Sequence, residues 1–274
     1  MDGPRNANWH DQDFYFPVPF AALRNLYWLY NPTVPSVQLF ITCLTDSFFP
    51  QTGEAVVEIL NRLGVDVDFT PEQTCCGQPQ FNAGLRNDAR MIAEHTIKVF
   101  EKNRDEIVIP SGSCAHHFRH NLLELFADDA AWYPRAEMLG RRVFEFTEYL
   151  VDKLGIIDVG AKWEGLLTYH PSCHTLRGLN VDKQPRTLLQ NVEGATLVEL
   201  PNEHECCGFG GIMSVEHPEL SAEWLKRKIS NLEKTQVPTL VVTDAGCLMH
   251  ILGGLKRLKK DQKVIHIAEV LNSR

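Results

Sequence analysis

No stretch of this chain reaches 18 consecutive apolar residues, so it offers no candidate transmembrane helix. Positive charge is also scarce. Lys and Arg total 27 against 35 Asp and Glu, a formal net charge of −8, and there is no long basic stripe, so a nucleic-acid partner is not expected. The opening Met1-Asp2-Gly3-Pro4-Arg5-Asn6 lacks the basic-then-apolar run of a secretory signal, which leads to the expectation of a cytoplasmic protein. The run Gly208-Phe209-Gly210-Gly211 falls short of a full Gly-x-Gly-x-x-Gly and sits inside a cysteine motif, so no nucleotide site is assigned to it.

What the chain does have is 274 residues, 44% of them apolar, and eight cysteines. That length supports one large core or two of about 110–140 residues. Disulfides are disfavoured in a reducing cytosol and unneeded in a chain of this size, which leaves buried thiols or metal ligation. The spacing argues against scattered core thiols. Cys43, Cys75, Cys76 and Cys114 recur as Cys173, Cys206, Cys207 and Cys247, at offsets of 130, 131, 131 and 133, and glycine follows each vicinal pair as Gly77 and Gly208. Val143 to Leu150 recurs as Val264 to Leu271 at an offset of 121, so the first half carries about a dozen extra residues, read as a loop insertion around Asp128 to Arg142.

Short apolar runs at Val37–Thr42 and Gly165–Tyr169 read as strands leading to Cys43 and Cys173. Val65–Phe69 and Thr196–Leu200 lead to the vicinal pairs, and Ile107–Ile109 and Leu240–Val242 lead to Cys114 and Cys247. Helical spacing marks Glu54–Leu63, stopped by Gly64, and also Ala89–Glu101 and Glu219–Glu233. Strands alternating with helices predict an α/β fold of two tandem, pseudo-symmetric parallel-sheet domains. The expected division is an aromatic-rich arm over residues 1–35, a first domain over 36–158 and a second over 159–274. Each cysteine then falls just beyond the carboxyl end of a strand, where open α/β sheets bind ligands, so one crevice is expected in each half. Gly77 and Gly208 would supply positive φ or close backbone approach there.

Four thiols in one pocket suit zinc or an iron–sulfur cluster. Zinc ligands usually come from close pairs such as Cys-x-x-Cys, whereas a vicinal doublet is more easily shared among the irons of a cluster. Zinc and a vicinal disulfide stay open as alternatives.

This pattern of a Cys, a Cys-Cys-Gly and a final Cys, present twice between Ser36 and Arg274, resembles the cysteine-rich CCG-domain family and within it the lactate-utilisation A (LutA) type. In this domain the family is similar to the CCG subunit of heterodisulfide reductase and to iron–sulfur subunits of glycolate and glycerol-phosphate dehydrogenases. The resemblance implies an iron–sulfur electron-transfer subunit of a complex that oxidises L-lactate to pyruvate, part of an oxidoreductase and not a complete enzyme. It also implies a ferredoxin-like iron–sulfur subunit and a LutC-type subunit as partners. All eight cysteines would be iron ligands of one or two clusters per chain, expected to be [4Fe-4S], with zinc the alternative in one site. One departure matters. Heterodisulfide-reductase repeats end in Cys-x-x-Cys, but here Ser111 and Asp244 stand at the penultimate positions, so each half has four thiols and direct disulfide cleavage becomes the second reading. A zinc-bound structural or assembly module is the third. Ser111 and Asp244 could add oxygen ligands, or cap the helices that follow.

His170 and His174 flank Cys173 and could tune a cluster or shuttle protons, or be polar, satisfied loop histidines. His116 and His120, four residues apart, are read as an exposed helix face in preference to a metal pair. The arm holds Trp9, Phe14, Tyr15, Phe16, Phe20, Tyr27, Trp28 and Tyr30, too many aromatics to leave solvated, and is expected to pack on a partner subunit or on the protein itself.

Overall fold

The computed structural model describes residues 34–274, and the aromatic-rich arm lies outside the described residues. The first half runs β1 (Ser36–Leu39), α1 (Cys43–Phe48), α2 (Pro50–Arg62), β2 (Asp66–Asp68), α3 (Arg86–Phe100), β3 (Glu106–Ile109), α4 (Gly112–His116), α5 (Tyr133–Gly140) and β4 (Val143–Glu145). The second runs β5 (Lys162–His170), α6 (Lys183–Gln190), β6 (Glu193–Val198), α7 (Pro218–Thr235), β7 (Thr239–Val242), α8 (Ala245–Arg257), β8 (Lys263–His266) and α9 (Ile267–Asn272). Each half builds a four-stranded parallel sheet, in the order β2-β1-β3-β4 and β6-β5-β7-β8. The cysteine duplication is thus a duplication of topology.

Both sheets are covered on both faces, which is why their central strands are nearly continuous apolar runs. Alternation sorts the side chains. Val37 and Leu39 of β1, with Leu167 and Tyr169 of β5, face a core shared by the two halves, which also takes in Ala55, Ile59, Leu188 and Leu271. Phe40, Ile107 and Ile109 face a second core under α3, and Leu240 and Val242 a third under α7 and α8. The shared core is stitched at its rim by Thr52 Oγ1 donating to Glu269 Oε1 at 2.8 Å and Arg62 to Asn272 Oδ1 at 2.9 Å.

The recurrence of Val143–Leu150 in Val264–Leu271 has a structural cause: each is a strand running straight into a capped helix. Glu145 and His266 are the N-caps, and Glu148 and Glu269 return the bond to the cap backbone. The expected loop insertion at Asp128–Arg142 is corrected by the structure, which places α5 within it. Asp129 Oδ1 accepts from the Ala131 and Trp132 amides, and Pro134 starts the helix. Its buried face is Ala136, Leu139 and Gly140, too small and too short to show an apolar period.

The halves also meet where α4 faces the short π-helix His174–Gly178. A Cβ on Gly112 would come within 1.9 Å of Thr175 Oγ1 and 2.8 Å of its backbone nitrogen, so only glycine allows this approach. Gly112→Ala is therefore expected to lower stability by roughly 1–3 kcal/mol, as overpacking does. Gly253→Ala, where nothing lies within 4 Å of the added carbon, should leave it unchanged or slightly raised. Urea unfolding midpoints of the two variants check this, and equal midpoints would remove the interface role of Gly112.

Candidate metal centre

Three neighbouring strands in each half deliver the thiols. Cys43 opens α1 after β1, with Thr42 Oγ1 accepting from the Thr45 amide as its cap. Cys75 and Cys76 lie in the loop after β2, and Cys114 lies in α4 after β3. Cys173 follows β5, Cys206 and Cys207 follow β6, and Cys247 lies in α8 after β7. Gly77 and Gly208 end the vicinal loops at φ +90° and +94°, a left-handed conformation open to glycine. At Gly208 a Cβ would also meet the Ser221 carbonyl at 2.5 Å, because α7 packs directly on the loop.

The crevices expected one per half are joined. All eight cysteines line a single cavity of about 350 Å³. Cys76, Cys114, Cys207 and Cys247 are buried at its floor, while Cys43 is exposed at its mouth. Within each quartet sulfur packs on sulfur: Cys43 donates to Cys75 at 3.7 Å, Cys114 to Cys76 at 3.3 Å and Cys207 to Cys247 at 3.3 Å. The Gly208 amide donates to Cys206 Sγ at 3.3 Å and the Phe209 amide to Cys207 Sγ at 3.5 Å.

This crowding polarises the thiols. Hydrogen bonds from Cys43 and Cys76 hold Cys75 well below the usual thiol range, and bonds from Cys173 and Cys207 do the same for Cys206. Cys43 and Cys173 are pushed far up by the bonds they make to those thiolates and then by burial; Cys76 and Cys207 are raised likewise. Cys75 and Cys206 are therefore the thiols readiest to ionise, and the raised thiols resist ionising unless a cation joins them.

Ser111 and Asp244 both line the cavity, in different roles. Asp244 caps α8 by accepting from the Gly246 amide at 3.0 Å, and its other oxygen accepts from Ser111 Oγ at 2.8 Å and the Ser113 amide at 3.0 Å. Ser111 makes no cap bond to its own helix. One carboxylate thus ties the second quartet's helix to the first quartet's.

The chain's residues 37–119 and 167–252 match the family model described as "CCG: Cysteine-rich domain". The chain belongs to the CCG family. Lactate utilization protein A of an Exiguobacterium species is 46% identical over 87% of this chain and 98% of its own length. The protein of that name from a Geobacillus species is 47% identical over 87% and 99%, and lactate utilization protein A 2 of Bacillus cereus 46% over 86% and 97%. This CCG protein is of that type. A putative Asp/Glu racemase from Yersinia pestis is a distant likeness, with 12% identity and a TM-score of 0.35. No helix among the described residues is long and apolar enough to cross a membrane.

The histidines of this CCG protein depart from the sequence expectation. His116 is half-buried and not on an open helix face; its ring lies 4.8 Å from that of the exposed His120 and 5.0 Å from that of His174. His174 Nδ1 is 3.8 Å from Cys173 Sγ. His170 is fully buried, as is His117, which no sequence signal singled out, and no hydrogen bond reaches a ring nitrogen of either. Burial holds both imidazoles neutral, down to about 3. Phe209, Gly210 and Gly211 also line the cavity, a role visible in advance only as their position beside Cys-Cys-Gly.

Among the described residues the donor set fits a soft metal or cluster: eight thiols and the His174 imidazole against one carboxylate, Asp244, already engaged in three hydrogen bonds. Asp244→Ala is expected to destabilise the protein by about 2 kcal/mol through the lost cap and the orphaned Ser111 and Ser113 donors. Asp244→Asn, which keeps an acceptor, should cost less. Thermal unfolding of the three proteins is the check, and an unchanged Asp244→Ala midpoint would contradict the tie.

Proposed function

We propose that this protein is an iron–sulfur electron-transfer subunit of an L-lactate-oxidising system. The observation that carries the reading is the convergence of two matched thiol quartets on one cavity at the carboxyl edges of both sheets. Cys43, Cys75, Cys76 and Cys114 would hold one cluster, and Cys173, Cys206, Cys207 and Cys247 the other, as [4Fe-4S] centres. Bound clusters supply one-electron redox chemistry at a potential set by burial and by hydrogen bonds to sulfur. The chain's part is to hold the thiolates, exclude water from the floor thiols and donate the Gly208 and Phe209 amides to sulfur.

The lactate link rests on the names of the relatives. Among the described residues no Lys or Arg lines the cavity, so the carboxylate of lactate would find no charged clamp in their lining, and we place lactate's oxidation on a partner chain. A ferredoxin-like subunit and a LutC-type subunit are the proposed partners, in the cytoplasm. Four thiols per half, with no fifth, weigh against direct disulfide cleavage.

A second reading applies to one site. The donor atoms of His170, Cys207 and Cys247 all lie within 4.8 Å of one another, a compact set that would also suit a single zinc ion. Anaerobic purification is expected to give iron and acid-labile sulfide in the protein and an EPR signal on reduction. Replacing Cys76 and Cys114, or Cys207 and Cys247, by serine should each remove part of the iron. Stoichiometric zinc without iron would sink the electron-transfer reading.

A further inference from the structure

The two quartets are matched in sulfur but not in what backs them. Phe40 and His170 are equivalent: Val37 and Leu39 face the shared core as Leu167 and Tyr169 do, and the next outward position is Phe40 in one half and His170 in the other. Phe40 is an ordinary core residue, its ring 4.9 Å from that of Phe118 and 5.8 Å from that of Phe100. The residues matching those two rings in the second half are Ile251 and Leu232, both fully buried. An imidazole placed there gains no aromatic partner; no hydrogen bond of ordinary geometry reaches either nitrogen, and the Glu203 carbonyl is the one backbone acceptor near the ring among the described residues. The nearby Glu203 carbonyl accepts from the buried Lys228 Nζ at 3.0 Å.

A fully buried polar ring with no hydrogen bond of ordinary geometry is costly, and such a group asks for a partner. The atoms within reach are sulfurs. A ring nitrogen of His170, Cys207 Sγ and Cys247 Sγ are mutually within 4.8 Å, and movements of about an ångström would bring them to the roughly 3.6 Å that a tetrahedral metal sets between a nitrogen and a sulfur ligand. In the first half His117 is also buried, but it belongs to no comparably compact set of a ring nitrogen and two sulfurs among the described residues. His170 does.

We propose that His170 gives a ring nitrogen to the metal held between Cys207 and Cys247, so that the second half has a mixed nitrogen–sulfur centre and the first an all-sulfur one. The inference rests on the reading that the quartets bind metal, and it applies whether that metal is an iron of a cluster or a zinc ion. The two centres of one chain are then chemically unequal despite the duplication. Imidazole in place of thiolate lowers the negative charge of a centre and, for iron–sulfur clusters, raises its potential.

The test is X-ray absorption at the iron and zinc edges on the full-length chain carrying Cys76→Ser and Cys114→Ser, which removes the two buried thiols of the first half. The expected spectrum has a nitrogen shell at about 2.0–2.1 Å with imidazole multiple scattering beside sulfur at about 2.3 Å. His170→Phe, which puts there the residue found at the equivalent position of the first half, should lose that shell in the same background. If that variant fails to fold, the parent spectrum alone decides. A sulfur-only parent, a nitrogen shell that survives His170→Phe, or no metal in the second half overturns the proposal. Iron with sulfide but no nitrogen overturns it and leaves electron transfer standing; zinc with nitrogen does the reverse for that half.

Discussion

Four thiols forced into contact cannot all ionise by themselves. Two thiolates 3.3 Å apart, the separation of Cys76 from Cys114 and of Cys207 from Cys247, repel by roughly 5 kcal/mol even at an effective dielectric of about 20. The crowding therefore resists full ionisation until a cation arrives: the floor thiols Cys76, Cys207 and Cys247 are all raised, while the depressed thiols, Cys75 and Cys206, lie outside those two pairs. Much of the local structure serves this enforced crowding. Gly77 and Gly208 turn the vicinal pairs inward, α7 closes on Gly208 with no room for a side chain, and the strand ends of β2, β1 and β3, like those of β6, β5 and β7, bring three separated segments to one edge.

The same elements that build the site also join the halves. The Asp244 carboxylate caps α8 and accepts from the first residues of α4, and Gly112 lets α4 settle onto Thr175 two residues beyond Cys173. A shift of one half against the other would therefore move one quartet relative to the other. The shared apolar core and the Thr52–Glu269 and Arg62–Asn272 bonds hold that arrangement from the far side. Two separate domains linked by a hinge would not place eight sulfurs around one cavity.

Much of this was legible in the sequence, and for physical reasons. Buried parallel strands are short apolar runs, so β1, β3, β5 and β7 stand out, and a duplicated ligand set leaves constant offsets between cysteines. What stayed hidden depends on contacts between distant segments. Helix α5 buries only Ala136, Leu139 and Gly140 and shows no apolar period. Asp244 reads as a local cap, because nothing near it in the chain reveals that Ser111, 133 residues earlier, is its second partner. His170 reads as a loop histidine beside a cysteine; only the strand alternation that makes it the counterpart of Phe40 shows that it points away from the shared core, toward Cys207 and Cys247. That the two crevices are one could be seen only once both sheets were in place.

The convergence of both quartets on one cavity as a cluster-binding chamber is tested most directly by anomalous diffraction at the iron edge from crystals grown without oxygen. Two iron peaks are expected on the walls of the cavity, one against Cys43, Cys75, Cys76 and Cys114 and one against Cys173, Cys206, Cys207 and Cys247. Sulfurs paired as disulfides, or no iron at either quartet, would contradict the account.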